Sequence, residues 1–427
     1  MIRFGFFVLF TTCIRFSTFS QSEFTLFLIG DAGETSVNNA PYKKVLQEQL
    51  QNGNSAQAIV FLGDNIYPKG MPEREASQRK ESEDILTSQI AVVKNVQGDV
   101  YFIPGNHDWK QGRREGWERI QHQQQFIDSL KNTKINFLPK GGCPGPVEVH
   151  LSEQLVLIIL DTQWILHPFD KPEGENSSCE AKTSTDIISQ LEDILKRNKE
   201  KRIVIAGHHP IYTYGEHGGV FTLKDHLFPL TAINKKLYLP LPVLGSIYPL
   251  YRKIFGNIQD TSHPVYKQFR LTLARLLKEY PGVIYASGHE HTLQYSLRDS
   301  IHYVVSGSGV KNTHAKKKGF AQFVSSKSGF VKLTIKEKGD GKIEYWDGQE
   351  NLFSKELQPI LKTDNSVLAT PIKEGLVSVK ASGRYEASTS HERWLGENYR
   401  REWSQEIKAP VFDITKERGG LKIIQRG

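Results

Sequence analysis

Seven short runs of apolar and β-branched residues, TLFLIG, AIVFLG, DVYFIPG, LVLIILD, RIVIAG, GVIYASG and HYVVSG, punctuate the chain between Thr25 and Gly307. Most end in glycine. Runs of four to seven such residues, apolar on consecutive rather than alternate positions, are the signature of strands buried on both faces. Helical spacing lies between them. Ile187, Ile188, Leu191, Ile194 and Leu195 recur at intervals of three and four, with Ser184 or Thr185 placed to cap, and weaker signals cover 40–50, 82–93 and 116–130. This alternation predicts an α/β fold of stacked layers. With 427 residues, 38% of them apolar, the chain can build a substantial core in one large domain or two.

Two regions break the rhythm. From His226 to Arg270 the chain carries six Lys or Arg against one acid, Asp260, around the proline-interrupted apolar stretch LYLPLPVLGSIYPLYRKIF. The prolines and Arg252 disqualify it as a membrane-spanning helix, so 226–270 reads as a basic insertion: a cap, a surface-docking loop or an ordinary variable loop with its own small core. Beyond Asp347 strand-like spacing stops, and 348–427 reads as an irregular linker or partner-docking tail.

The first 20 residues read as a secretory signal: Arg3, an apolar run from Phe4 to Ile14, then small residues near Ser20. The run is short for a membrane anchor and is ended by Arg15. Export to the periplasm, the outer membrane or the medium is therefore expected. Without the signal only Cys143 and Cys179 remain, as a disulfide or as two free thiols; spacing alone does not decide between them. A net charge of +8 favours anionic substrates or surfaces without identifying one.

Five polar blocks follow apparent strands in order: GDAGE at Gly30, GDNIYP at Gly63, GNHDW at Gly105, GHHP at Gly207 and GHEH at Gly288. Together they hold every donor type that a two-metal hydrolase needs. Placed at the carboxyl ends of neighbouring strands, they would converge in one cleft, and a glycine beside each donor lets backbone approach the ions closely. His209 neighbours His208, but consecutive side chains diverge on an extended strand end, so it is expected behind the donors rather than among them.

On these blocks the chain resembles the calcineurin-like metallophosphoesterase superfamily over roughly 23–347. Members usually open with Asp, any residue, His. Here the third position is Gly33, and the Asp64-Asn65-Ile66-Tyr67 run is similar to the tyrosine-bearing block of purple acid phosphatases of the tartrate-resistant type. His217 in GEHGG and the segment GHEHTLQY extend the likeness. The resemblance implies a four-layer αββα sandwich of mixed β-sheets flanked by helices. It also implies Asp31, Asp64, Tyr67 and His291 on a first metal, and Asp64, Asn106, His208 and His289 on a second.

Phenolate and carboxylates suit Fe(III), whereas imidazole and amide suit Fe(II), Zn(II) or Mn(II). The implied reaction is hydrolysis of small phosphate monoesters by metal-bound hydroxide, with Asn106, His107 and His217 binding substrate and His107 and His217 catalytic. A phosphodiesterase or nucleotide pyrophosphatase could use the same ions. The tail is similar to the connector that joins a phosphatase-like domain to an outer-membrane barrel of the surface-antigen type, which implies envelope association. No nucleic-acid partner is expected, and oligomeric state is left open.

Overall fold

The computed structural model describes residues 23–53, 55–232, 236–241, 244–360, 411–417 and 420–426. The expected signal and most of the expected docking tail lie outside them. Fourteen strands build one unit: β1 Phe24–Ile29, β2 Ala56–Phe61, β3 Val100–Phe102, β4 Ile135–Phe137, β5 Val147–His150, β6 Leu155–Leu160, β7 Arg202–Gly207, β8 Ile284–Ser287, β9 Leu293–Arg298, β10 Ile301–Ser306, β11 Ala321–Ser325, β12 Phe330–Ile335, β13 Gly341–Trp346 and β14 Asn351–Leu357. They form two seven-stranded sheets, ordered β14-β13-β12-β1-β2-β3-β4 and β11-β9-β10-β8-β7-β6-β5.

Both sheets are mixed. β1 to β4 run parallel to their neighbours while β1 meets β12 antiparallel. In the second sheet β6, β7, β8 and β10 are parallel, flanked by antiparallel β5 and β9.

Successive side chains of a strand face opposite ways, and that rule creates the layers. Leu26, Leu28, Val60, Leu157, Ile159, Val204, Ile284 and Val304 form one apolar cluster between the sheets. The intervening residues, such as Phe27, Ile59, Ile158 and Ile205, pack instead with helix residues such as Leu46, Leu86, Ile187, Leu191 and Leu273. The helices are α1 Lys43–Asn52, α2 Arg79–Val92, α3 Gly116–Ser129, α4 Thr162–Leu166, α5 Ser184–Arg197, α6 Leu223–Leu227, α7 Ile247–Ile254 and α8 Pro264–Lys278. The result is two mixed sheets flanked by helices.

Several expectations are corrected. α5 is capped by Thr183 rather than Ser184 or Thr185: Thr183 Oγ1 accepts from the Asp186 N–H while the Asp186 carboxylate accepts from the Thr183 N–H. That reciprocal box needs an acid three residues on, which only Thr183 has. The basic insertion does not reach Arg270. At Pro264 it gives way to α8, whose Tyr266, Phe269, Leu273 and Leu277 are buried; the cations between them obscure the helical stripe. The sheet also continues past Asp347, because β14 pairs with β13 through Leu357. As an edge strand half in water, β14 lacks an unbroken apolar run. Further on, the tail is not irregular throughout: β15 Val411–Glu417 and β16 Gly420–Arg426 pair antiparallel in a separate unit.

Cys143 and Cys179 are disulfide-bonded, with Cα atoms 5.5 Å apart, which settles that alternative. Among the described residues no helix is long and apolar enough to cross a membrane.

Candidate metal centre

Every predicted donor lies within a few residues of the carboxyl end of a parallel strand. Asp31 follows β1, Asp64 β2, Asn106 β3, His208 β7, and His289 and His291 β8. The loops that carry them interlock. Gly63 has φ +89°, and a Cβ there would stand 2.6 Å from His208 Nδ1; a Cβ on Gly105 would stand 2.4 Å from Asp64 Oδ1. No side chain fits at either position. Asp31, Asp64 and His289 themselves take positive φ (58°, 54° and 67°), a strain that persists only where surrounding structure imposes it.

The donors fall into two sets. In one, the Tyr67 hydroxyl donates to Asp31 Oδ1 at 3.1 Å and lies 3.2 Å from His291 Nε2, which is 3.5 Å from the same carboxylate oxygen. Gly33 occupies the position where a histidine is usual, and a Cβ there would come within 2.5 Å of the Asp64 carbonyl. The Tyr67 N–H donates to the Gly33 carbonyl, so the loop that carries Tyr67 is bonded to backbone that leaves no room for a side chain at 33.

In the other set, His208 Nδ1–H donates to the Leu62 carbonyl at 2.8 Å and His289 Nε2–H donates to the Gln259 carbonyl at 2.9 Å. Those bonds fix both tautomers. The remaining lone pairs, His208 Nε2 and His289 Nδ1, lie 3.3 Å apart and 2.9 and 3.0 Å from Asn106 Oδ1. Three acceptor atoms thus face one another with no proton among them. Separations near 3 Å match the edges of a coordination polyhedron with bonds of about 2.0–2.2 Å. Asp64 stands between the sets: its Oδ1 is 3.4 Å from His208 Nε2, and it shares a group with Asp31 and His208 whose donor atoms all lie within 4.8 Å of one another.

The electrostatics agree with a cation site. Burial and the Asp64 charge raise the Asp31 pKa well above the ordinary carboxylate value. Burial raises that of Asp64 too, but the neighbouring His208 and His107 imidazoles outweigh it and leave the net shift downward. Burial lowers His208, His289 and His291, the last to about 3, so each keeps a free lone pair. Buried carboxylates crowded together beside neutral imidazoles are relieved by bound cations.

His209 is buried, but both its nitrogens are committed, to Thr162 Oγ1 and to Gln259 Oε1. His107 points Nδ1–H at the Pro68 carbonyl, 2.7 Å, which leaves Nε2 3.8 Å from Asp64 Oδ2. His217 stacks on His289 with ring centroids 4.1 Å apart, and its Nδ1–H donates to Asp260 Oδ1 at 2.9 Å.

Four groups at the site escape motif reading. Asp108 accepts from the N–H groups of Asn65, Ile66 and Gly105, which binds the second block to the third. Glu290 accepts from Thr213 Oγ1 and from the N–H groups of Glu216 and His217, holding the His217 loop. Both lie inside quoted blocks, where an acid beside a donor was the available signal. Asp260, the lone acid of the insertion, is buried and paired with Arg252 from α7. Lys311 lies over the Tyr67 ring, 3.1 Å from its centroid, with nothing in its local sequence to announce it.

Residues 24–293 match the family model described as calcineurin-like phosphoesterase. The chain is similar to "Purple acid phosphatase 17" of Arabidopsis thaliana, 22% identical over 220 residues, which are 50% of this chain and 60% of that one. It is also similar to "Tartrate-resistant acid phosphatase type 5" of Rattus norvegicus, 23% identical over 328 residues, covering 72% of this chain and 79% of that one. The chain thus spans only 60% of the plant relative's length. Among solved structures, "GAP50 the anchor in the inner membrane complex of Plasmodium" superposes with a TM-score of 0.50 at 16% identity, over 80% of this chain and 91% of that one. At that identity the likeness is one of fold.

Proposed function

Because the chain belongs to the calcineurin-like phosphoesterase family, we propose that it hydrolyses small phosphate monoesters with two metal ions that share Asp64. One observation carries this reading: the confronted lone pairs of Asn106, His208 and His289, beside the Asp31, Tyr67 and His291 set, with Asp64 between. Asp31, Tyr67, His291 and Asp64 would hold Fe(III); Asp64, Asn106, His208 and His289 would hold Fe(II), Zn(II) or Mn(II). Bound there, the ions would supply an activated water and draw charge from the phosphate oxygens.

The side chains around them do the rest. His107, its Nδ1 anchored by Pro68, leaves Nε2 for a phosphate oxygen. With Nδ1–H committed to Asp260, a protonated His217 presents Nε2–H. Burial lowers the His217 pKa, but the Asp260 bond and the charges of Glu290 and Asp260 outweigh it, so the net shift is upward. His217 is then charged in mild acid and can donate a proton to the leaving alkoxide. Activity is expected to fall as pH rises through that pKa. The Cys143–Cys179 bond supports an exported location.

The test combines metal analysis with turnover of aryl phosphate mono- and diesters. Asp64→Asn should lose metal and about a thousandfold or more in kcat, and Tyr67→Phe about ten- to a hundredfold. Parental rates in both variants, or faster diester than monoester cleavage, would refute the reading.

A further inference from the structure

Eleven of the fourteen exposed large apolar side chains among the described residues fall between Leu223 and Phe255. Scattered exposed apolar residues are ordinary; a concentration of this kind marks a contact surface. α7 shows the pattern most plainly. A soluble helix normally turns its apolar stripe inward, whereas here the stripe at i, i+3, i+4 and i+7 (Ile247, Leu250, Tyr251, Ile254) points to solvent, each 47–63% exposed. Tyr248 and Phe255 extend it. The buried face of α7 holds Pro249 and a cation, Arg252, which is tied to Asp260 and Glu216.

The surroundings of this stripe are basic. Of the two acids between 223 and 270, Asp225 accepts from the Thr222 N–H and hydroxyl at the start of α6, and Asp260 is 1% exposed and paired with Arg252, so Asp260 offers no negative charge to a partner. Lys253 is exposed on α7, and Lys316 and Lys318 are exposed in the loop after β10. Partial burial, then the charges of Lys253 and Lys316, lower the Lys318 pKa, as expected when ammonium groups crowd together. A second copy of the chain docked face to face would set these lysines against one another. An anionic layer with an apolar interior complements both features, and tyrosines beside lysines suit its boundary.

We propose that the 223–255 insertion is a docking surface for an anionic lipid bilayer, with the outer face of α7 entering the headgroup region and Lys253, Lys316 and Lys318 against the lipid phosphates. Its inner face reaches the cleft through Arg252, Asp260 and His217, so docking sets the candidate centre beside the membrane.

The test is co-sedimentation of the full chain with vesicles of phosphatidylcholine alone and of phosphatidylcholine with an equal part of phosphatidylglycerol, alongside sedimentation velocity without lipid. Leu250→Glu/Ile254→Glu should bind the anionic vesicles about tenfold or more weakly at unchanged melting temperature. Lys253→Ala/Lys316→Ala/Lys318→Ala should lose about ten- to a hundredfold on anionic vesicles only, a difference that shrinks with salt. Because every variant carries the same termini, binding through either end would appear as equal affinity in all three proteins, and that overturns the proposal. Failure of the parent chain to bind overturns it as well. So does self-association abolished by Leu250→Glu/Ile254→Glu, which would make a second copy the occupant. Asp64→Asn should bind vesicles like the parent, which separates this outcome from failure of the catalytic reading.

Discussion

The cleft and the insertion beside it invert each other's use of side chains. The cleft buries carboxylates and imidazoles that would ordinarily seek water, whereas α7 exposes two isoleucines, a leucine and two tyrosines that would ordinarily avoid it. Each arrangement costs stability in the isolated chain. The helices between them follow the usual rule: α5 buries Ile187, Leu191, Ile194 and Leu195. On the two proposals above, departures from the burial rule mark the places where this fold meets something else.

Core substitutions sharpen the contrast. Leu191→Ala, at a fully buried position, should cost about 2–5 kcal/mol in denaturant unfolding. Ile254→Ser, at a position 63% exposed, should stay within about 0.5 kcal/mol although it removes a side chain of similar size. A comparable loss at both positions would mean that α7 packs as core.

Opening the Cys143–Cys179 bond, which spans 36 residues, comes next. Cys143→Ser/Cys179→Ser should lower stability by about 2–4 kcal/mol and leave kcat unchanged, because the bridge touches no donor. Loss of activity at matched folded fraction would place the bridge within the site.

The smallest effect joins the two regions. Asp260→Asn removes the anion that helps hold the His217 pKa above its ordinary value. A weaker anion means a lower His217 pKa, so the limb on which activity falls with rising pH should move to more acid pH, by about one unit or less. Arg252→Met should shift the limb the opposite way, because the Arg252 charge acts to lower that pKa. An unmoved limb in both variants would sever the insertion from the proton transfer proposed for His217.

Much of this was legible in the chain itself. All seven apolar runs became strands, because a strand covered on both faces must be apolar at every position. The donors were legible for a related reason: a glycine-flanked polar block at the end of such a strand has few structural purposes. Edge strands were not. β14 and β11 are half solvated, and their composition is that of any polar loop. The Asp260–Arg252 and Lys311–Tyr67 contacts were equally hidden, since Arg252, Asp260 and Lys311 stand in stretches of sequence that carry no donor. The end of the insertion at Pro264 was masked by Lys267 and Arg270, whose charges lie between buried positions of α8.

The most direct test is anomalous scattering from crystals of the chain loaded with iron and zinc. Two peaks about 3.5–4 Å apart are predicted, one against Asp31, Tyr67 and His291 and the other against Asn106, His208 and His289, with Asp64 touching both. A single peak, or two that do not share Asp64, would contradict the account.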